Sequence, residues 1–255
     1  MDYMLTALTD VGLVKKTNQD SLLLRTADCA AGRVCFAVLC DGMGGLAKGE
    51  LASAEVIHAF GDWFVTRFPA LAEAGLQDGV LRAEWTALVN DLNRRIQTYG
   101  RQNGIQLGTT ITAALITPAR YYILNVGDSR AYLLSDALYQ LTEDQSYVQN
   151  LVRRGEITPE EALTHPQRNV LLQCIGASEN VFPDMYFGDT RPGQVFMLCC
   201  DGFRHEIQPE EFWTYLNPLQ LADEPAMRQS CQYLIDLNKY RQETDNITVA
   251  VIKTV

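Results

Sequence analysis

The sequence predicts an α+β fold of antiparallel sheets flanked by helices, and two features of its order carry that expectation. Two long helical stretches follow one another between strands instead of alternating with each strand. A strand series then runs from 109 to 134 with turn-sized gaps at Pro118-Ala119-Arg120 and Gly127-Asp128-Ser129. Parallel strands need a long crossover, usually a helix, whereas gaps of this length suit antiparallel meanders. The same order argues against a doubly wound parallel sheet.

In chain order, residues 36–40, 111–116, 121–126, 195–200 and 247–252 are short apolar runs, rich in β-branched or aromatic types and bounded by Gly, Asp, Asn or Pro. These are the marks of buried strands. Ala54, Ile57, Gly61, Phe64 and Phe68 recur at the spacing of one helical face, and Leu81, Trp85, Leu88, Leu92, Ile96 and Tyr99 do so again. Residues 144–177 interrupt the strand series. Tyr147, Val148, Leu151 and Val152 predict a short amphipathic helix that Arg153-Arg154-Gly155 ends. A second helix is expected from Thr158 as N-cap, with Pro159 at the first helical position and Glu161 as capping-box partner. An insert of this kind is expected to cover a site. Pro209-Glu210-Glu211 and residues 225–240 predict two more helices before the last strand. No linker, repeat or low-complexity tract appears, so residues 1–255 are expected to form one domain.

Composition narrows the function classes. The chain has 255 residues, 47% of them apolar, 20% charged and 9% aromatic, which suits a folded interior. Twenty-one Lys and Arg stand against 31 Asp and Glu, a formal charge of −10 that repels phosphate backbones and anionic lipid. Neither nucleic acid nor a membrane is an expected partner. The longest apolar runs, 34–40 and 195–200, are far shorter than the roughly 18 residues of a membrane span. Asp2 stands where a secretory signal carries basic residues, so export by that route is not expected. Cys29, Cys35, Cys40, Cys174, Cys199, Cys200 and Cys231 form an odd set without a CxxC pair, which predicts reduced thiols and a cytoplasmic location.

The aspartates carry the chemistry. Asp20 follows Thr17-Asn18-Gln19, Asp41 ends one apolar strand, Asp128 follows another, Asp201 ends a third, and Asp245 precedes the last. A single Asp-Gly after a strand is ordinarily a turn, but here five acids sit at five strand ends, and Cys40-Asp41-Gly42 is repeated as Cys200-Asp201-Gly202. Carboxylates gathered at one place repel each other unless cations neutralise them. Oxygen ligands without a His or Cys cluster favour Mg²⁺ or Mn²⁺ over Zn²⁺, and a carboxylate-bridged pair of such ions suits phosphoryl transfer. His58, His165 and His205 are expected as packed or surface residues, with His205 close to Asp201. Thr109 and Thr110 are expected to pack in a strand, Arg130 to form a structural ion pair, and Arg153-Arg154 to be a solvated helix end.

The ordered motifs resemble the metal-dependent protein phosphatases of the PPM, or type 2C, family in their compact bacterial form. They are Thr9-Asp10-Val11-Gly12 through Asn18-Gln19-Asp20-Ser21, Asp41-Gly42-Met43-Gly44-Gly45, Gly108-Thr109-Thr110, Asn125-Val126-Gly127-Asp128-Ser129-Arg130, Leu141-Thr142-Glu143-Asp144, Asp201-Gly202 and Asp245-Asn246-Ile247-Thr248. The resemblance implies a four-layer α-β-β-α sandwich with helix pairs outside, and residues 144–177 as a flap over the cleft. It implies that Asp41 bridges two Mn²⁺ or Mg²⁺ ions, that the Gly42 carbonyl ligates one of them, and that Asp201 and Asp245 ligate the other. Asp41 and Asp201 thereby become the catalytic carboxylates. Asp20 would hold metal-bound water, and Asp128 with Asp201 would form a weaker third-ion site.

The implied activity is hydrolysis of phosphoserine and phosphothreonine in proteins by a hydroxide bridging the two ions, on substrates of a Ser/Thr kinase, with a monomer as the default state. Three positions depart from the family pattern. Lys15 stands in place of a phosphate-gripping Arg, Gln19 in place of an acid, and Met43 in place of the His of eukaryotic relatives, which leaves leaving-group protonation to a metal-bound water. The alternatives are a phosphoprotein-binding module of the same fold with little turnover, and a hydrolase of small phosphorylated metabolites.

Overall fold

The computed structural model describes residues 1–43 and 48–255. Gly44 and Gly45, which close the glycine motif after Asp41, lie outside the described residues. The elements run β1 (Tyr3–Asp10), β2 (Ser21–Cys29), β3 (Gly32–Cys40), α1 (Gly49–Thr66), α2 (Phe68–Glu73), α3 (Asp78–Asn103), β4 (Ile111–Ile116), β5 (Arg120–Val126), β6 (Arg130–Leu134) and β7 (Leu138–Gln140). They continue with α4 (Tyr147–Arg153), α5 (Pro159–Thr164), β8 (Asp184–Asp189), β9 (Val195–Cys199), α6 (Asp201–Arg204), α7 (Pro209–Leu216), α8 (Glu224–Tyr240) and β10 (Ile247–Thr254).

Two five-stranded sheets form, ordered β1-β10-β9-β6-β7 and β2-β3-β4-β5-β8, with every pairing antiparallel. The alternation of β3 shows how the layers stack. Val34, Phe36, Val38 and Cys40 join a core with Val56, Phe60 and Trp63 of α1 and Trp85, Val89 and Leu92 of α3. Cys35, Ala37 and Leu39 point the other way, into a core shared with Phe196, Leu198 and Val251 of the facing sheet. Phe212 and Leu216 of α7 and Leu234 and Ile235 of α8 belong to that second core. A strand covered on both faces has no solvent side, which is why 34–40 reads as one apolar run and is at most 1% exposed throughout. The result is the α-β-β-α sandwich, with α1 and α3 outside one sheet and α7 and α8 outside the other.

One local expectation is corrected. The face that begins at Ala54 does not continue unbroken to Phe68: α1 ends at Thr66, and Phe68 opens α2 with a proline in its first turn. Pro69 has no N–H to extend the α1 ladder, yet Phe68 still stacks on Phe64 with ring centroids 5.3 Å apart. Asp201 begins the short helix α6. Gly202 there is required by space, since a Cβ would lie 2.1 Å from the Asn246 carbonyl oxygen.

The insert follows its sequence closely. Ser146 caps α4, and Thr158 and Glu161 form the reciprocal capping box of α5. Its end is tied back by paired backbone hydrogen bonds between Ile175 and Thr109.

Strand register brings the five aspartates to one end of the sandwich. Ser21 pairs with Cys40, so Asp20 and Asp41 flank the same edge. Ile111 pairs with Val126, which places Asp128 just beyond that end of β5. In the other sheet Cys199 pairs with Val249, so Asp201 leaves β9 where Asp245 enters β10.

Candidate metal centre

Asp41 is held by its backbone. Its N–H donates to Thr110 Oγ1 at 3.0 Å, and its carbonyl accepts from Thr110 N–H at 2.9 Å and from Thr109 Oγ1 at 2.8 Å. The two threonines are buried but precede β4 instead of lying within it, and their hydroxyls fix Asp41, a role that the expected strand packing did not suggest. Gly42 lies so close to its neighbours that a Cβ would stand 2.5 Å from the Gln19 carbonyl oxygen. Asp20 accepts from Thr248 Oγ1 at 2.5 Å through Oδ2, while its Oδ1 is buried without a hydrogen-bond partner. Asp201 Oδ1 is likewise buried and unpartnered. Asp245 accepts from the Asn246 N–H at 2.8 Å, and its own N–H donates to Glu243 Oε1 at 2.9 Å.

Electrostatics show what this crowding costs. Burial first, then the charges of Asp20, Asp201, Asp128 and Asp245, push the Asp41 carboxyl well above the usual carboxylate range. Asp20 is pushed up to about 7 by burial, with the Thr248 hydrogen bond pulling down and Asp201 pushing up. Asp128 reaches about 7 through burial and Asp201, opposed by Arg204. Buried carboxylates with unsatisfied oxygens call for cations, and hard divalent ions match the oxygen donors.

One sulfur lies near: Asp20, Asp41 and Cys200 place ligand atoms within 4.8 Å of each other. Burial raises the Cys200 thiol well above its ordinary range, and Asp20 and Asp41 add to that. The thiol donates to Asn246 O at 3.4 Å and accepts from Thr248 N–H at 3.1 Å, contacts that tie it to the backbone behind the oxygens. The residues present fit an oxygen-ligated divalent centre.

Around the carboxylates sit the cations. Lys15 Nζ lies 2.9 Å from Asp245 Oδ1, with its side chain 30% exposed. Arg130 grips Asp144 through two hydrogen bonds of 2.7 and 2.8 Å, the structural pair expected of it. Arg153 and Arg154 bond to Asn150 and Glu156 at the exposed end of α4. His205 is not a bystander: its Nε2 is 3.8 Å from Asp201 Oδ2 and its Nδ1 is 3.4 Å from Glu243 Oε2. A cavity of about 730 Å³ opens beside these groups, with Asp128, Arg204 and His205 on one wall and Val152, Leu163 and Arg168 of the insert on the other.

Asp20, Asp41, Asp128, Asp201, Asp245 and Lys15 thus come to one end of the sandwich, as sequence reasoning expected. Sequence reasoning missed Thr248, Glu243, Asn246 and Arg204. Asn246 Oδ1 accepts from Gln19 N–H, and its Nδ2 donates to Val11 O and Thr17 O, fastening the segment between β1 and β2 that carries Lys15. Arg204 had one available signal, a basic residue three positions after Asp201.

Residues 14–235 match the family described as Protein phosphatase 2C. The chain belongs to that family. The phosphatase is 33% identical over 247 residues to a putative protein phosphatase 2C-type of Streptococcus pyogenes serotype M6, covering 96% of this chain and 94% of the relative. It is 36% identical over 250 residues to the serine/threonine protein phosphatase PstP of Mycobacterium tuberculosis, covering 98% of this chain but only 44% of PstP. Among solved structures, the phosphatase resembles the serine/threonine phosphatase of S. agalactiae with a TM-score of 0.84 at 30% identity, over 100% of both chains. It also resembles the catalytic domain of PstP in complex with two manganese ions, with a TM-score of 0.78 at 32% identity, over 99% of this chain and 98% of that one. Fold and donor set therefore agree on a metal-dependent protein phosphatase. No helix among the described residues is long and apolar enough to cross a membrane.

Proposed function

We propose that residues 1–255 act as one catalytic domain that hydrolyses phosphoserine and phosphothreonine in proteins, with residues 144–177 as a flap beside the cleft. The observation that carries this reading is the convergence of five strand-end carboxylates from two sheets, two of which keep an unpartnered buried oxygen. Asp41, the Gly42 carbonyl, Asp201 and Asp245 hold a pair of Mn²⁺ or Mg²⁺ ions, and Asp20 orients water from behind. Bound there, the ions supply a water-derived nucleophile and the positive charge that in-line phosphoryl displacement requires. The reaction is phosphomonoester plus water giving alcohol plus inorganic phosphate.

The chain's own residues supply position. Lys15 stands at the rim against Asp245 and offers its ammonium to a phosphoryl oxygen, as a point charge and not a bidentate fork. Thr109 and Thr110 hold Asp41 by its backbone, Thr248 fixes one oxygen of Asp20, and Glu243 ties the Asp245 backbone to His205. The cavity between Arg204 and the insert accepts the polypeptide on either side of the phosphorylated residue. Substrates are phosphoproteins of a Ser/Thr kinase, and the seven free cysteines, six of them buried, suit a reducing cytoplasm.

The test is turnover of a phosphothreonine peptide with Mn²⁺, with Mg²⁺ and with excess chelator, in wild type, Asp41→Asn and Asp201→Asn. Metal-dependent hydrolysis is expected, with both variants reduced by about 10³-fold or more, because several kcal/mol of charge stabilisation goes with the ions. Phosphopeptide binding without turnover by the metal-loaded wild type would replace the enzyme reading with that of a binding module.

A further inference from the structure

Arg204 ends α6, three residues after Asp201. Its side chain is 11% exposed, and the acids facing it, Asp128 and Asp144, are 10% and 9% exposed. Its Nη2 donates to the Asp128 carbonyl oxygen at 3.0 Å and lies 3.6 Å from Asp128 Oδ2 and 3.3 Å from Asp144 Oδ2. Asp144 cannot follow Arg204 elsewhere, because Arg130 holds it in a fork and donates in turn to Tyr132 Oη at 2.9 Å. The guanidinium is therefore clamped between a carboxylate after β5 and a carboxylate at the start of the insert. A divalent ion on Asp128 would compete with this permanent cation for the same oxygens. Displacing Arg204 would strip Asp144 of one partner and leave a buried positive charge unpaired.

We propose that Arg204 is a built-in cation that takes the place of a third metal ion at Asp128, so that the metal centre holds two ions and not three. The proposal rests on the metal-centre reading above and departs from the third-ion site that family resemblance implies. It makes Asp128 a partner of Arg204 instead of a ligand. It also joins the charge balance of the cleft to Asp144, where the insert begins.

Counting bound Mn²⁺ tests this directly, by titration with the paramagnetic resonance signal of the free ion and circular dichroism to confirm folding. Wild type is expected to saturate at two ions. Asp128→Asn is expected to keep two, with affinity reduced by less than the about 10-fold that losing a second-sphere partner costs. Arg204→Met is expected to gain a third ion that Arg204→Met with Asp128→Asn lacks, and Arg204→Lys, which keeps the charge, is expected to stay at two. A third ion in wild type that Asp128→Asn abolishes would overturn the proposal, and that comparison stands even where Arg204→Met does not fold. Fewer than two ions in wild type would overturn the metal-centre reading itself, a failure distinct from a count of three.

Discussion

Thr248 Oγ1 donates to Asp20 Oδ2 at 2.5 Å and lies 2.7 Å from Thr9 Oγ1, so a hydroxyl pair on β10 and β1 anchors a carboxylate that belongs to the other sheet. Thr248→Val keeps the shape and removes the donor, leaving both oxygens of Asp20 without a protein partner. Mn²⁺ affinity is expected to fall by about 10- to 100-fold, as for other lost supports of metal-site groups, and Thr248→Ser to restore it. Calorimetric titration decides the matter, and an unchanged affinity in the valine variant would show that Thr248 only packs. The residue lies inside a motif visible in the sequence, but its partner is 228 positions away, and spacing along the chain contains no trace of that contact.

Asp144 works at the scale of elements, since it joins β6 through Arg130 to α6 through Arg204 at the first residue of the insert. Burial alone would raise its carboxyl, but the charge of Arg204 and the fork of Arg130 hold it below the usual range. Asp144→Asn leaves two largely buried guanidiniums without that anion and is expected to cost about 3–5 kcal/mol in urea unfolding at pH 7. A carboxyl lowered in the folded state stabilises above its ordinary value of about 3.9, and that stability is lost as pH falls through the folded value. Variant and wild type should therefore converge only in strong acid; a constant gap down to that range would assign the loss to packing. Elements also divide cleanly in what the sequence revealed. The strands it showed, β3, β4, β5, β6, β9 and β10, are the interior members of the two sheets, whereas β1, β7, β2 and β8, which it did not show, are the four edges. Interior strands are covered on both faces and read as apolar runs, while β2 is half-buried along nearly all its length and shows neither a run nor an alternation. Asp41, Asp128, Asp201 and Asp245 were legible for the same reason, each standing where an apolar run stops or starts, whereas Asp20 was legible only within its motif Asn18-Gln19-Asp20-Ser21. The supports of those acids were not, because Glu243 and Asn246 act from the loop before β10 and Arg204 from the end of α6, through contacts that only the folded chain makes.

At the scale of the whole molecule, the carboxylate cluster joins the two sheets, and the proposed ions would act there as a clasp. Asp20 and Asp41 belong to the β2-β3 edge, while Asp201 and Asp245 belong to β9 and β10, and the inter-sheet core of Leu39, Phe196 and Val251 holds the two layers face to face. Without cations, folding forces these carboxylates together against their mutual repulsion, and Asp41 and Asp20 both show the strain as raised proton affinity. Ions that bind the folded state and not the unfolded chain add about 2.7 kcal/mol per site at a concentration one hundred times the dissociation constant. For a chain of this size about 1 kcal/mol moves the melting point by about 2–4 °C, so two filled sites should raise it by on the order of 10 °C. Differential scanning calorimetry with Mn²⁺ and with chelator measures that shift. Asp41→Asn is expected to lose most of it, whereas its chelator-treated form should melt no lower than chelator-treated wild type, because the substitution removes the most crowded of the repelling charges. An Mn²⁺ shift of equal size in wild type and Asp41→Asn would mean that the ions bind elsewhere and that the sheets close without them.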